Sequence, residues 1–408
     1  MTSSFTWMDH SEHDRRKMLD VVDMFKEKDT RDELGIGVVR DAFADLLFPG
    51  TGTVQTRARY FLFIPWIYMD LERREVPSSE IALKARRQEV GLIDSLARSH
   101  PDRGEGVIGI TAREDLQRLP SNIYWLGLGN WGIRLRNGSQ EHYHRSLDRY
   151  YRAVAATPEA EHDEPVDQRA YNWHTGIPDP PDDFPQKASF RLTRDEAAYL
   201  RERIMARVPN SLLAFLVDKG HSGDQVDFPW KHARLGQFPA PIREQLVHAR
   251  NFSESVHGAA LLYNLMLAQS AKLRALVTEY QDRLSQWAST LEGRRQQLTQ
   301  WDRKRFWDIV RKDAQVPVKY STQSFIEHWL DLALNDGAAR DIASNTKARD
   351  LIHNRERALK HGLARLDNRR ALELWNGAAG TGQLDFRWKQ TGIITEDILK
   401  ALKGGRHA

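Results

Sequence analysis

Leu262, Met266, Gln269, Leu273, Leu276, Tyr280, Leu284, Trp287 and Leu291 follow one another at intervals of three and four residues. A helix, at about 3.6 residues per turn, brings such positions onto one face. The stripe predicts one unbroken helix of roughly eight turns, expected to be the spine of a C-terminal domain; its spacing also suits a coiled coil with a partner chain. Other stretches read the same way. Met18, Val21, Val22 and Phe25 form one apolar stripe, and Val38, Val39, Ala42, Phe43, Leu46 and Leu47 form another. The latter ends at Phe48-Pro49-Gly50, where proline and glycine stop a helix. Further helices are predicted near residues 56–74, 79–99, 112–118, 121–133, 140–154, 192–208, 300–314, 321–335, 345–366, 368–377 and 395–403. Thr111 with Glu114 has the spacing of a capping box, and Thr193 opens the helix that follows it. No run of alternating apolar and polar residues argues for a strand, so the chain is expected to be mainly α.

Proline divides the sequence. Fifteen of its 16 prolines lie at or before Pro241, so the first part should be interrupted by loops and the second more continuously helical. Residues 155–188 carry eight acids against two bases, together with prolines 158, 165, 178, 180, 181 and 185. A stretch of that composition buries little apolar surface and reads as an extended linker or a loop. The expected organisation is therefore two helical domains, residues 1–154 and 189–408, joined by an acidic Pro-rich linker at 155–188.

Composition excludes several chemistries. The chain of 408 residues has no cysteine, which removes disulfides, iron–sulfur clusters, thiolate zinc sites and a cysteine nucleophile. Its first residues carry Asp9, Glu12 and Asp14 and no apolar segment behind a basic one, the opposite of an export signal. The most apolar run, Tyr60 to Tyr68, is too short to span a bilayer, which needs about 20 apolar residues. It reads as a buried segment, and the cytoplasm is the expected compartment. Arg57 and Arg59 just before it are expected to act internally, against acids such as Asp41 or Asp45.

Catalytic signatures are weak. Pro49-Gly50-Thr51-Gly52-Thr53 and Gly377-Ala378-Ala379-Gly380-Thr381-Gly382 are small-residue loops without the Lys-Ser/Thr pair of a phosphate-binding loop. They read as turns that need glycine. Among the 15 histidines, His10 with His13 and His142 with His144 are the close clusters. The first falls at a helix start, and the spacing of the second sends its rings to different helix faces. Asp182, Asp183 and Lys187 have the composition of a nuclease site, but they sit in the Pro-rich stretch. No Gly-x-Ser-x-Gly elbow is present. No metal or cofactor is expected from these patterns.

Charge placement says more. The net charge is only +4, yet residues 340–370 hold nine bases against four acids. On a helix Arg349, His353, Arg357 and Lys360 share one face, beside an apolar stripe of Ile352, Leu359, Leu363 and Leu366. Arg349, Arg355, Arg357, Lys360, Arg365, Arg369 and Arg370 are the candidate nucleic-acid-binding residues, with an exposed face of Arg349, Arg357 and Lys360 at their centre. Residues 272–312 hold ten bases against five acids, interleaved with Trp287, Trp301 and Trp307. That mixture suits phosphate contact and base stacking, or else a solvated helix face over core tryptophans.

Several motifs carry a resemblance. Arg31-Asp32-Glu33-Leu34-Gly35-Ile36-Gly37, Leu47-Phe48-Pro49-Gly50-Thr51, the run Thr56-Arg57-Ala58-Arg59-Tyr60-Phe61 and onward to Trp66, Ala364-Arg365-Leu366-Asp367-Asn368 and Arg370-Ala371-Leu372-Glu373-Leu374-Trp375 resemble a bacterial family catalogued only as a domain of unknown function. The similarity spans nearly the whole chain. The resemblance implies an accessory role in antiphage defence, since such proteins tend to be encoded beside a helicase with a phospholipase D-type nuclease domain, as in Azaca-type systems. It brings no catalytic residues with it. The expected function is thus a non-enzymatic component of an antiviral complex that binds nucleic acid, a helicase–nuclease partner, or both. The alternative is a metal-dependent nuclease whose carboxylates meet only in the fold.

Overall fold

A computed structural model describes residues 32–99, 105–156, 171–220, 223, 226–313, 317–335 and 338–404. Fifteen α-helices run through them: α1 (Gly37–Leu47), α2 (Tyr60–Arg73), α3 (Ile81–Ser99), α4 (Pro120–Asn130), α5 (Gln140–Ala156), α6 (Arg194–Arg207), α7 (Leu212–Lys219), α8 (Ala240–Ser270), α9 (Arg274–Gly293), α10 (Arg295–Thr299), α11 (Arg303–Asp313), α12 (Tyr320–Leu334), α13 (Thr346–Lys360), α14 (Arg369–Glu373) and α15 (Trp388–Lys403). Among the described residues there is no strand, and the β pairing present is an isolated bridge between Arg134 and Trp173. The fold is all-α. None of the described helices is long and apolar enough to cross a membrane. The stripe Met18 to Phe25 and the pair His10 and His13 lie outside the described residues.

Two compact units form, one from residues 1–43 and 247–384, the other from 44–246 and 385–408. These boundaries fall elsewhere than at the acidic stretch. Its described second half packs inside the second unit: Trp173 and Ile177 are buried, the Trp66 indole donates to the Pro178 carbonyl at 2.7 Å, and Phe184 stacks on Phe63 with ring centroids 5.6 Å apart. Aromatic and aliphatic side chains among the prolines and acids supply the burial that a composition average hides.

In that second unit the core is α2, buried along its length from Tyr60 to Tyr68 and packed against α3 and α4. Ion pairs tie distant sequence onto it. Arg57 grips Asp397 of α15 with Nε and Nη2 at 2.9 and 2.7 Å, and Arg59 meets Glu196 of α6 at 2.6 Å. The internal role expected of both arginines holds, but the acids are Asp397 and Glu196 rather than Asp41 or Asp45. Glu196 also completes the capping box of α6 with Thr193. The box expected at Thr111 starts no helix: Gly109 and Arg113 both take positive φ, and one 3-10 turn, Arg113–Asp115, is all that forms.

In the first unit the expected eight-turn spine is two helices. Lys272 takes φ +57°, its amide bonds to the Gln269 carbonyl at 3.1 Å, and the Leu273 amide reaches back to Ala268 at 3.0 Å. This is a Schellman stop with lysine where glycine is usual. The chain then reverses, so that the Trp287 indole donates to the Glu254 carbonyl at 2.8 Å and Arg294 bonds to Asn251 at 2.8 Å. Periodicity persists on both sides of the stop because both helices face the same core, and a stripe alone does not record a turn. Gly258 sits at their crossing, where a Cβ would lie 2.2 Å from the Trp287 ring.

Candidate polyanion-binding surface

The C-terminal bases begin on α13, which opens at Asn345, whose side chain accepts from the Ala348 amide, and ends where His361 takes φ +49°. The predicted helix 345–366 therefore stops at Lys360, and residues 361–368 turn back along it. That turn decides which bases point inward. Arg355 is buried and spends its guanidinium on four oxygens: the carbonyls of Leu34 (2.9 Å), Gly35 (3.0 Å) and Ser321 (3.3 Å) and the Thr322 hydroxyl (2.9 Å). Lys360 pairs with Glu33 and lies 3.1 Å from the Tyr263 hydroxyl. Arg365 donates to the other oxygen of Glu33 at 2.9 Å. Beside them Glu356, fully buried, accepts from the Tyr263 hydroxyl and from the amides of Arg365 and Leu366 at 2.9 and 3.0 Å. Burial, Glu33 and Glu356 together push the Tyr263 hydroxyl up from its ordinary value.

Arg355, Lys360 and Arg365 are therefore not part of an exposed face. The physical reason is Glu33, which lies 332 residues away from Arg365 in the chain and draws two of the three bases inward. A buried acid of this kind is tolerable only with its charge compensated and its lone pairs filled.

The other candidates lie outside. Arg349 is half-buried and bonded to the Ala343 carbonyl and the Gln269 side chain at 3.0 and 2.7 Å. Arg357 is exposed and pairs at 3.0 Å with Asp367, whose carboxyl is held below its usual range by the Arg357 and His353 hydrogen bonds. Asn368 caps α14 by accepting from the amides of Arg370 and Ala371, which sets Arg369 and Arg370 on the surface. The Arg369 side chain is 91% exposed and only loosely paired with Glu373 at 3.4 Å. An open groove of about 590 Å³ runs past α14, lined by Lys272, Leu273, Arg365, Arg369, Leu372 and Trp375, with Asp367 and Glu373 among its acids. Lys272 joins the rim through the helix stop described above. The sequence marked it as basic, but in the other charged stretch.

A model for a family of unknown function, DUF6361, matches residues 2–400. The chain belongs to that family. No curated protein and no solved structure matches it. Two sequence motifs of this DUF6361 chain meet in the first unit: Asp32 caps α1 through the Ile36 and Gly37 amides, Leu34 and Gly35 hold Arg355, and Glu33 holds Arg365 of the C-terminal motif.

The other basic stretch, residues 272–312, departs from its stacking reading. Trp287, Trp301 and Trp307 are core residues, their indoles bonded to the Glu254 carbonyl, His248 and Glu327. Arg294 and Arg303 are paired with Glu254 and with Glu327 and Asp331. His144 stacks on Tyr68 while His142 is exposed, the divergence their spacing implied. Asp183 pairs with Lys187 at 3.3 Å on the surface. Among the described residues no three His, Asp or Glu side chains gather so as to hold a metal ion.

Proposed function

We propose that the chain is a binding component, rather than the catalyst, of a bacterial antiviral complex, and that the rim of Lys272, Arg357, Arg369 and Arg370 docks nucleic acid. The observation that supports this reading is the open groove beside α14, where Lys272 and Arg369 stand in solvent while Lys360 and Arg365 are paired with Glu33. Exposed bases attract a phosphate chain by releasing its counterions, with little need for sequence contacts. The antiviral setting and the helicase–nuclease partner rest on the motif resemblance alone. The test is fluorescence anisotropy of a labelled duplex at about 50 mM salt, with wild type and with Lys272→Glu/Arg369→Glu/Arg370→Glu, in the presence of magnesium or manganese. The expected results are binding by the wild type, loss in the triple variant at an unchanged melting temperature, and intact DNA. Absence of binding at this salt sinks the docking claim; cleavage that survives repurification establishes a nuclease instead.

A further inference from the structure

The second unit contains a cavity of about 430 Å³ whose walls include Tyr150, Tyr151, Tyr171 and Trp173, with Glu72 and Asn172 among its polar residues. It is rigidly built. Flanking Trp173, the Leu135 amide donates to the Asn172 carbonyl and the His174 amide to the Ile133 carbonyl, both at 2.8 Å, and the Trp173 ring packs on Tyr68, Trp125 and Tyr143. Glu72 takes all its hydrogen bonds through Oε1, from Tyr143, from Asn172 at 3.0 Å and from Trp173 at 2.9 Å. Its Oε2 accepts none among the described residues. The Asn172 Oδ1 atom is buried and has no hydrogen-bond partner among the described residues.

Two acids, Glu72 and Glu75, line the cavity against one arginine, Arg73, which is turned to Asp70 at 3.0 Å. Arg136 lies over the Tyr150 ring, burial pushes the Glu72 carboxyl up, and burial and the Arg203 guanidinium hold His174 down, towards its neutral form. Burial and then the Glu72 carboxylate push the Tyr150 and Tyr151 hydroxyls up. Aromatic faces, a carboxylate oxygen without a donor and an unfilled amide oxygen together suit a group that is cationic and rich in N–H.

We propose that this cavity binds an organic cation, the ammonium or guanidinium head of a small amine or of a Lys or Arg side chain on another protein. Calorimetry with butylammonium and butylguanidinium should give millimolar dissociation constants, and butanol, their neutral analogue, should bind at least about tenfold more weakly, the loss expected when a charged hydrogen bond is removed. The peptides acetyl-Gly-Lys-Gly-amide and acetyl-Gly-Arg-Gly-amide separate the sources: tighter binding than the butyl probes assigns the cavity to a protein side chain, and weaker binding to a free amine. Glu72→Gln should lower the affinity about tenfold. Because Glu72 also holds three core donors, Tyr171→Ala is the second variant. Its half-exposed side chain makes no hydrogen bond among the described residues, and its removal should cost roughly two- to fivefold. The proposal is overturned if butanol binds as well as butylammonium, if cytidine monophosphate binds more tightly than either cation, if no cation binds at tens of millimolar, or if folded Tyr171→Ala keeps the wild-type affinity.

Discussion

Arg355, Lys360 and Arg365 are interspersed along the chain with Arg357, Arg369 and Arg370, yet the two sets live in different solvents. The inner set is enclosed by Glu33, Glu356, Tyr263 and backbone carbonyls; the outer set faces water, and Arg369 lines the open groove, whose wall buried Arg365 also reaches. The difference teaches that a basic stretch of sequence is not a basic surface. A charge count includes bases whose fields are cancelled by acids from elsewhere in the chain, and only the remainder is offered to a partner.

The largest effect should come from breaking the inner set. Arg365→Ala leaves Glu33 buried with one base fewer, and loss of one member of a buried pair costs about 3–5 kcal/mol. Urea unfolding should show a loss of that size; a change under about 1 kcal/mol would mean that the inner bases are interchangeable with the outer ones.

Glu89 of the second unit sharpens the comparison, because it is a fully buried acid held by neutral groups, the Ser121 amide at 2.8 Å and hydroxyl at 2.7 Å. Burial pushes its carboxyl up to about 7 from an ordinary 4.5. Between those values the folded chain keeps a proton that the unfolded chain has released. The stability this confers is whole below pH 4.5 and is lost as pH rises through about 7, on the order of 3 kcal/mol in all. Glu89→Gln should flatten that slope, so that melting temperatures at pH 5 and pH 8 lie closer together than in the wild type. Parallel wild-type and variant pH profiles would contradict the assignment.

The smallest effect belongs to the rim. Arg369→Ala and Arg370→Ala should each change stability by no more than about 0.5 kcal/mol, as surface substitutions do, and a larger loss would move these residues to the inner set.

The helical elements were legible where one periodic face met one core. The stripe at Val38–Leu47 lies inside α1, and the Thr193 capping box opens α6, which keeps nearly the predicted bounds. What the sequence concealed were stops made without glycine. Lys272 and His361 both take positive φ, and neither residue type announces that conformation. The same two stops misled the reading of the site: one divided the spine and brought Lys272 to the groove, and the other turned residues 361–368 back so that Arg365 faces Glu33. The interspersion of inner and outer bases follows from pairings such as Glu33 with Arg365, over a separation that no local pattern encodes.

The division between the two sets is tested most directly by the salt dependence of duplex affinity. For B-DNA the slope of log K against log salt falls by about 0.9 for each phosphate contact removed. Measured between roughly 50 and 200 mM salt, Lys272→Glu/Arg369→Glu/Arg370→Glu should reduce the magnitude of that slope by about 2 to 3 while its melting temperature stays that of the wild type. An unchanged slope in the folded triple variant would contradict the account and leave these bases as a solvated surface.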